Sequence, residues 1–155
     1  MSRIIYTNSD GTVAILQPIL TEINPKTGNV FTIEEIAAKD VPSGTSYEIV
    51  DDSQIPTDRS FRDAWKQNNK TIETDMAKAK EIHKTNIRNA RIPKLAELDI
   101  EFQQALEKSV STTDIVSKKQ ALRDAPADSA IEAATDEAEL KAQWNTSILG
   151  DSPYS

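Results

Sequence analysis

The sequence predicts an α+β chain: a small β-rich N-terminal module with a hairpin, a short helix and a third strand over residues 1–70, then an extended helical hairpin with a short C-terminal helix over 71–146, and a tail over 147–155. Three observations carry that prediction. Nine of the 17 Ile but only three of the 17 Ala lie in residues 1–60. Branched side chains pack well on a pleated sheet, whereas Ala with Lys and Glu loses little entropy in a helix. Three of the four Gly and four of the seven Pro also fall before residue 60, punctuating short elements. Beyond residue 70, apolar residues recur at steps of three and four, the period of one helix face.

Arg3–Tyr6 and Thr12–Leu16 read as two strands joined by Asn8-Ser9-Asp10-Gly11, whose small polar residues and glycine suit a tight reversal. A calcium loop would need further oxygen ligands and a distant acidic residue that are missing here. Residues 17–30 form a connection with Pro18, Pro25 and a second turn signal at Lys26-Thr27-Gly28-Asn29. Thr32-Ile33-Glu34-Glu35 matches a capping box, so a short helix over 33–39 is expected, ended by Val41-Pro42 and Gly44. Ser46–Val50 reads as the third strand, and Asp51-Asp52 as a solvated loop.

After Phe61, Trp65 and a polar stretch through Asn69, Thr74 or Asp75 can cap a long helix. Pro93 removes the N–H that would reach Asn89, so the helix either kinks there or gives way to a second one. Leu95, Leu98, Phe102 and Ala105 or Leu106 form a narrow stripe for packing or oligomerisation. A turn near Ser109–Thr112, a helix capped by Thr112 or Thr113 and stopped by Pro126, a capping box at Ser129–Glu132 and a last helix from Thr135 through Trp144 complete the helical module. The tail, with Gly150 and Pro153, reads as needing a partner to become ordered.

The chemistry expected of such a chain is non-enzymatic. Cysteine is absent, which excludes disulfides and thiol catalysis. The one histidine, His83, reads as a partly packed or surface ring, and no nucleophile motif or phosphate-binding glycine loop accompanies it. No metal and no cofactor are expected. A net charge of −7 argues against nucleic acid as a partner, and no apolar run of about 20 residues exists to cross a membrane. The first residues lack the pattern of a signal peptide, so the chain is expected to be soluble and intracellular when made.

Two features point to protein partners. Residues 76–94 hold six basic residues against Glu81 alone, and Lys80, Lys84, Arg88 and Arg91 share one helix face. Like charges at that spacing repel, so either solvent or an acidic surface, on a partner or elsewhere in this chain, has to offset them. Phe61, Trp65 and Trp144 are the aromatic anchors; Phe61 and Trp65, four apart, serve either as a binding cluster or as a latch between modules.

The run Ile87-Arg88-Asn89-Ala90-Arg91-Ile92-Pro93-Lys94-Leu95-Ala96-Glu97-Leu98-Asp99, followed by Lys118-Lys119-Gln120-Ala121-Leu122-Arg123-Asp124-Ala125-Pro126, resembles the helical hairpin of small bacteriophage proteins of the tail assembly chaperone or tail-fibre assembly type. The opening Ile4–Asn8 and the run Asp58–Trp65 are similar to other small proteins encoded among phage tail genes. The sequence departs from the hairpin pattern at Ile100-Glu101 and in a longer link to Lys118. The resemblance implies a structural or assembly protein that binds other tail or fibre proteins, as a subunit or an oligomeric adaptor. It places the chain in the host cytoplasm during assembly and then in the virion tail, and it carries over no catalytic residue.

Overall fold

The computed structural model describes residues Met1–Tyr154 as two compact units, Met1–Asp75 and Met76–Ser155. A hairpin that the sequence pattern does not signal closes the first unit. Strands β4 (Trp65–Asn68) and β5 (Thr71–Thr74) pair antiparallel, Trp65 opposite Thr74 and Asn68 opposite Thr71, in a polar stretch for which no strand was expected. Asn69 turns the chain with φ 50°, a conformation Asn tolerates better than most residues.

The N-terminal unit is built on a three-stranded antiparallel sheet in the order β2-β1-β3, with β1 at Ser2–Thr7, β2 at Val13–Leu16 and β3 at Tyr47–Asp51. The register sets Ile5 opposite Ile15 and Glu48. Successive side chains of a strand point to opposite faces, and here both faces are covered. Ile4 packs with Ile36, Ala37 and Val41 of the helical side, while Ile5 and Val50 pack with Val13, Trp65 and Ile72 of the hairpin side. The covering helix α1, Ile33–Asp40, starts from the expected capping box: the Glu35 amide donates to Thr32 Oγ1 at 3.2 Å and the Thr32 amide to Glu35 Oε2 at 2.9 Å. The first turn is an Asx turn, in which the Thr12 amide and hydroxyl both donate to Asp10 Oδ1, at 2.9 and 2.6 Å.

In the C-terminal unit, α2 runs unbroken from Met76 to Glu107 with Pro93 inside it. Of the two alternatives expected at Pro93, a kink or a second helix, the second does not occur. Pro93 and Asn89 are both exposed, so water can serve the Asn89 carbonyl that loses its donor. Ser109, at φ 54°, and a Val110 amide bond to the Ala105 carbonyl at 2.9 Å turn the chain into α3, Thr113–Asp124. Short helices follow: α4 (Ser129–Ala133), α5 (Glu137–Ala142) and α6 (Thr146–Leu149). Aspartates cap two of them where Ser and Thr were expected. Asp128 accepts from the Ala130 amide at 2.9 Å, and Asp136 from the Glu139 amide at 2.8 Å. Among the described residues no helix is long and apolar enough to cross a membrane.

Candidate functional site

Expected site residues of the helical module meet in the C-terminal unit, though not as a free binding surface. Three of the four basic residues that share a face of α2 bind other parts of their own unit. Lys80 Nζ donates to the Glu132 carbonyl at 2.6 Å, and Lys84 pairs with the carboxylates of Glu132 and, at 2.9 Å, Glu81. Arg91 Nη1 donates to the Arg123 carbonyl at 2.9 Å and lies 3.4 Å from that of Leu122. These contacts offset the repulsion built into the row. The Lys84 hydrogen bonds hold Glu132 below the usual carboxylate range and raise Lys84 above the usual lysine range. Arg88 alone of the four is left exposed.

The packing stripe is likewise used inside the unit. Leu98 and Ala105 are buried, and Leu95 and Phe102 are half-buried. Leu106, counted in the stripe, is 57% exposed, because it sits one residue past Ala105 and so turns about 100° away from the packed face. Lys119 covers the exposed side of the Phe102 ring, its Nζ 5.2 Å from the centroid, and also pairs with Asp99.

His83 corrects the expectation most sharply. It is fully buried, beyond the partly packed or surface ring expected, and two aromatic side chains cover it. The Tyr154 ring stacks on it with centroids 5.5 Å apart and planes at 15°, and Trp144 meets it edge-on at 6.1 Å. Trp144 and Tyr154 contact each other at 6.0 Å, also edge-on. Tyr154 Oη lies 2.7 Å from His83 Nδ1 and accepts from Asn86 Nδ2 at 3.2 Å, while Lys141 Nζ stands 5.9 Å from the Tyr154 ring centroid. Burial lowers the His83 pKa and raises that of Tyr154.

The tail that carries Tyr154 therefore packs within its own unit. Helix α6 lies within it, Gly150 turns with φ 85°, and Trp144 Nε1 donates to the Gly150 carbonyl at 3.0 Å. The terminal tyrosine gave no periodic signal, since a single aromatic after Gly and Pro belongs to no repeating face. Beside this cluster lies an open cleft of about 580 Å³, floored by Ile87, Ile148 and Leu149 and rimmed by Asp124, Asp128 and Asn145. The rim oxygens are partly committed: Asp124 accepts from Gln120, and Asp128 and Asn145 cap α4 and α6.

In the N-terminal unit Phe61 and Trp65 are both buried. They do not share a helical turn. Phe61 precedes a 3-10 turn at Arg62–Ala64, and Trp65 opens β4 as part of the hairpin-side core. Their burial rules them out as an exposed binding cluster. The exposed apolar surface of this unit lies where sequence periodicity offered no signal, in the 17–30 connection. Ile19, Leu20, Ile23 and Val30 are 60, 48, 65 and 54% exposed. The second half of that connection is fixed: Ile23 and Val30 form an antiparallel bridge, and the buried Asn24 ties the loop between them together. Asn24 Oδ1 accepts from the Lys26 amide at 2.9 Å, its Nδ2 donates to Glu35 at 3.0 Å, and its amide donates to the Asn29 carbonyl at 2.7 Å.

Among the described residues no group of three or more His, Asp or Glu is placed to hold a metal ion. The chain matches no protein-family model, no curated protein and no solved structure.

Proposed function

We propose that this protein is a non-enzymatic structural or assembly factor of bacteriophage tails, acting by contact with another tail or tail-fibre protein. The observation that carries the contact mode is the 17–30 connection: Ile19, Leu20, Ile23 and Val30 are exposed, the last two on a hydrogen-bonded loop over 22–31. A fixed apolar surface loses little entropy on docking, and clustered exposed aliphatic residues mark protein interaction sites. The phage assignment rests on the resemblance of the 87–99 and 118–126 segments to the tail-assembly hairpin. The non-enzymatic part rests on the one histidine being enclosed by Trp144, Tyr154 and its own helix rather than opening on a cleft.

This reading moves the binding surface away from the basic row, which the chain uses internally. It also gives less weight to an oligomer held by the 95–106 stripe, of which only Leu106 is well exposed. The test is mass spectrometry of purified virions and of tail-assembly intermediates, with pull-down of each tail and fibre protein by wild-type chain and by Ile19→Asp/Ile23→Asp. The expected result is one tail or fibre protein retained by wild type and lost, at least about tenfold in affinity, by the variant. A wild-type chain that is indifferent to every tail and fibre protein overturns the proposal.

A further inference from the structure

Strand β2 is an outer strand of its sheet, paired with β1 on one side. The Asn8 amide donates to the Thr12 carbonyl at 2.8 Å, so Thr12 turns its backbone towards β1. Residues of an antiparallel ladder alternate in this respect. Ala14 and Leu16, opposite Tyr6 and Ile4, therefore also face β1, and Val13 and Ile15 turn their backbone groups outward. Among the described residues no backbone hydrogen bond reaches those outward groups.

The edge borders a groove. A cleft of about 300 Å³ is lined by Thr12, Val13, Ala14 and Ile15 together with Arg62 and Asp63. A second, of about 230 Å³, is lined by Ile15 and Gln17 together with Arg3, Asp52, Arg59 and Arg62. Ile15 and Arg62 belong to both, which joins the two along the strand.

The arginines run against the charge of their unit. Residues 1–75 hold seven Lys and Arg against twelve Asp and Glu, yet three arginines meet in the second cleft with one carboxylate. That carboxylate, Asp52, is taken by Arg3, whose Nε donates to its Oδ1 at 2.6 Å. Arg59 and Arg62 are exposed, and among the described residues neither guanidinium has an ion-pair or hydrogen-bond partner. Their backbone is anchored: Phe61 between them is buried, and the Arg62 amide donates to the Arg59 carbonyl at 3.1 Å. Asp58 accepts from the Ser60 amide and hydroxyl, at 2.9 and 2.7 Å, and Asp63 lines the first cleft but not the second.

An unpaired strand edge takes up an extended segment through main-chain hydrogen bonds, and the walls beside it select alternate side chains. Guanidinium groups select carboxylates. We propose that the β2 groove takes an extended acidic segment of a partner protein as an added strand: its backbone bonds to Val13 and Ile15, and its alternate carboxylates reach Arg59 and Arg62. The opposite edge, β3, suits such a segment less. It carries Glu48 and Asp51, and the Asp51 amide already donates to Gln54 Oε1 at 3.0 Å. The groove does not depend on the tail-assembly reading, since peptides test it without any tail protein.

The test is an amide NMR titration of the purified full chain with a short capped peptide of alternating glutamate and threonine. Saturable binding is expected, with the largest shift changes at Val13 and Ile15. The peptide with lysine for glutamate should bind wild type at least about tenfold more weakly, and so should the acidic peptide bind Arg59→Gln/Arg62→Gln. Two further acidic peptides carry N-methyl groups, one on the glutamate amides and one on the threonine amides. An added strand turns one of these sets towards β2 and the other away. One methylated peptide should therefore lose at least about tenfold in affinity relative to the other. The proposal is overturned if the acidic peptide does not bind, if the lysine peptide or the double variant binds equally well, or if the two methylated peptides bind alike. Shift changes centred on β3 overturn it too. So does a chain that is dimeric without peptide and has its Val13 and Ile15 amides protected from exchange, because a second copy then fills the edge. All the peptide comparisons use wild-type chain and stand even if the double variant fails to fold.

Discussion

Arg91 Nη1 donates to the carbonyl of Arg123 at 2.9 Å, across 32 residues of chain. The same Nη1 also reaches the Leu122 carbonyl, at 3.4 Å, and supplies there what Pro126 takes away. Proline has no N–H, so the Leu122 carbonyl at the end of α3 lacks its intrahelical donor, and the neighbouring Arg123 carbonyl lies in the last turn as well. A cation at that end also matches the helix dipole. One residue of the basic row thus closes the helix that Pro126 stops.

Removing that donor is expected to destabilise the C-terminal unit. Arg91→Ala should cost about 1–2 kcal/mol, the range for a charge-assisted hydrogen bond at a half-exposed site. Urea denaturation followed by far-UV circular dichroism measures it. A change within experimental error means that solvent satisfies these carbonyls equally well.

Pro93 lies on the exposed side of an unbroken helix, so its replacement should be favourable. Pro93→Ala restores a donor for Asn89 and removes a residue that costs about 3 kcal/mol relative to Ala in a helix interior. A gain of about 1–3 kcal/mol in the same urea experiment is expected. A loss of stability shows instead that α2 needs the bend proline imposes.

The Lys84–Glu132 pair sets part of the acid response. The Lys84 hydrogen bond lowers the Glu132 pKa from its ordinary 4.5, so the unfolded chain binds the proton more readily. Its stabilising effect is present above about pH 4.5 and is lost as pH falls through the lowered value. Glu132→Gln should flatten the acid limb of a stability–pH curve below pH 4.5 and leave the interval near 6 unchanged.

Asn24 organises the exposed loop, so Asn24→Ala should loosen it. The change removes an acceptor for the Lys26 amide and a donor to Glu35 at a buried position. A cost of about 1–3 kcal/mol is expected. Faster amide exchange at Thr27, Gly28 and Asn29, with α1 still protected, checks it.

Elements whose cause lies within a few residues were legible in the sequence. The Asp10 turn, the capping box at Thr32 and Glu35, and the 95-98-102 stripe each depend on local spacing. The β4–β5 hairpin was not legible, because Lys66, Gln67, Asn68 and Asn69 show no apolar alternation and its one buried face is carried by Trp65 and Ile72. Leu106 was misplaced because a three-or-four step leaves two neighbouring residues to choose between, and only the position of α3 decides.

What the sequence determined by itself is the division into a β-rich and a helical unit, together with the start of α1 and its capping box. Those follow from local propensity and from hydrogen bonds a few residues long. Tertiary structure alone decided where the charges and aromatics went. The basic row turned onto the carbonyls and carboxylates of its own unit, and Tyr154 returned across 71 residues to cover His83. Such pairings depend on burial and on unsatisfied groups far apart in the chain, which no local pattern encodes.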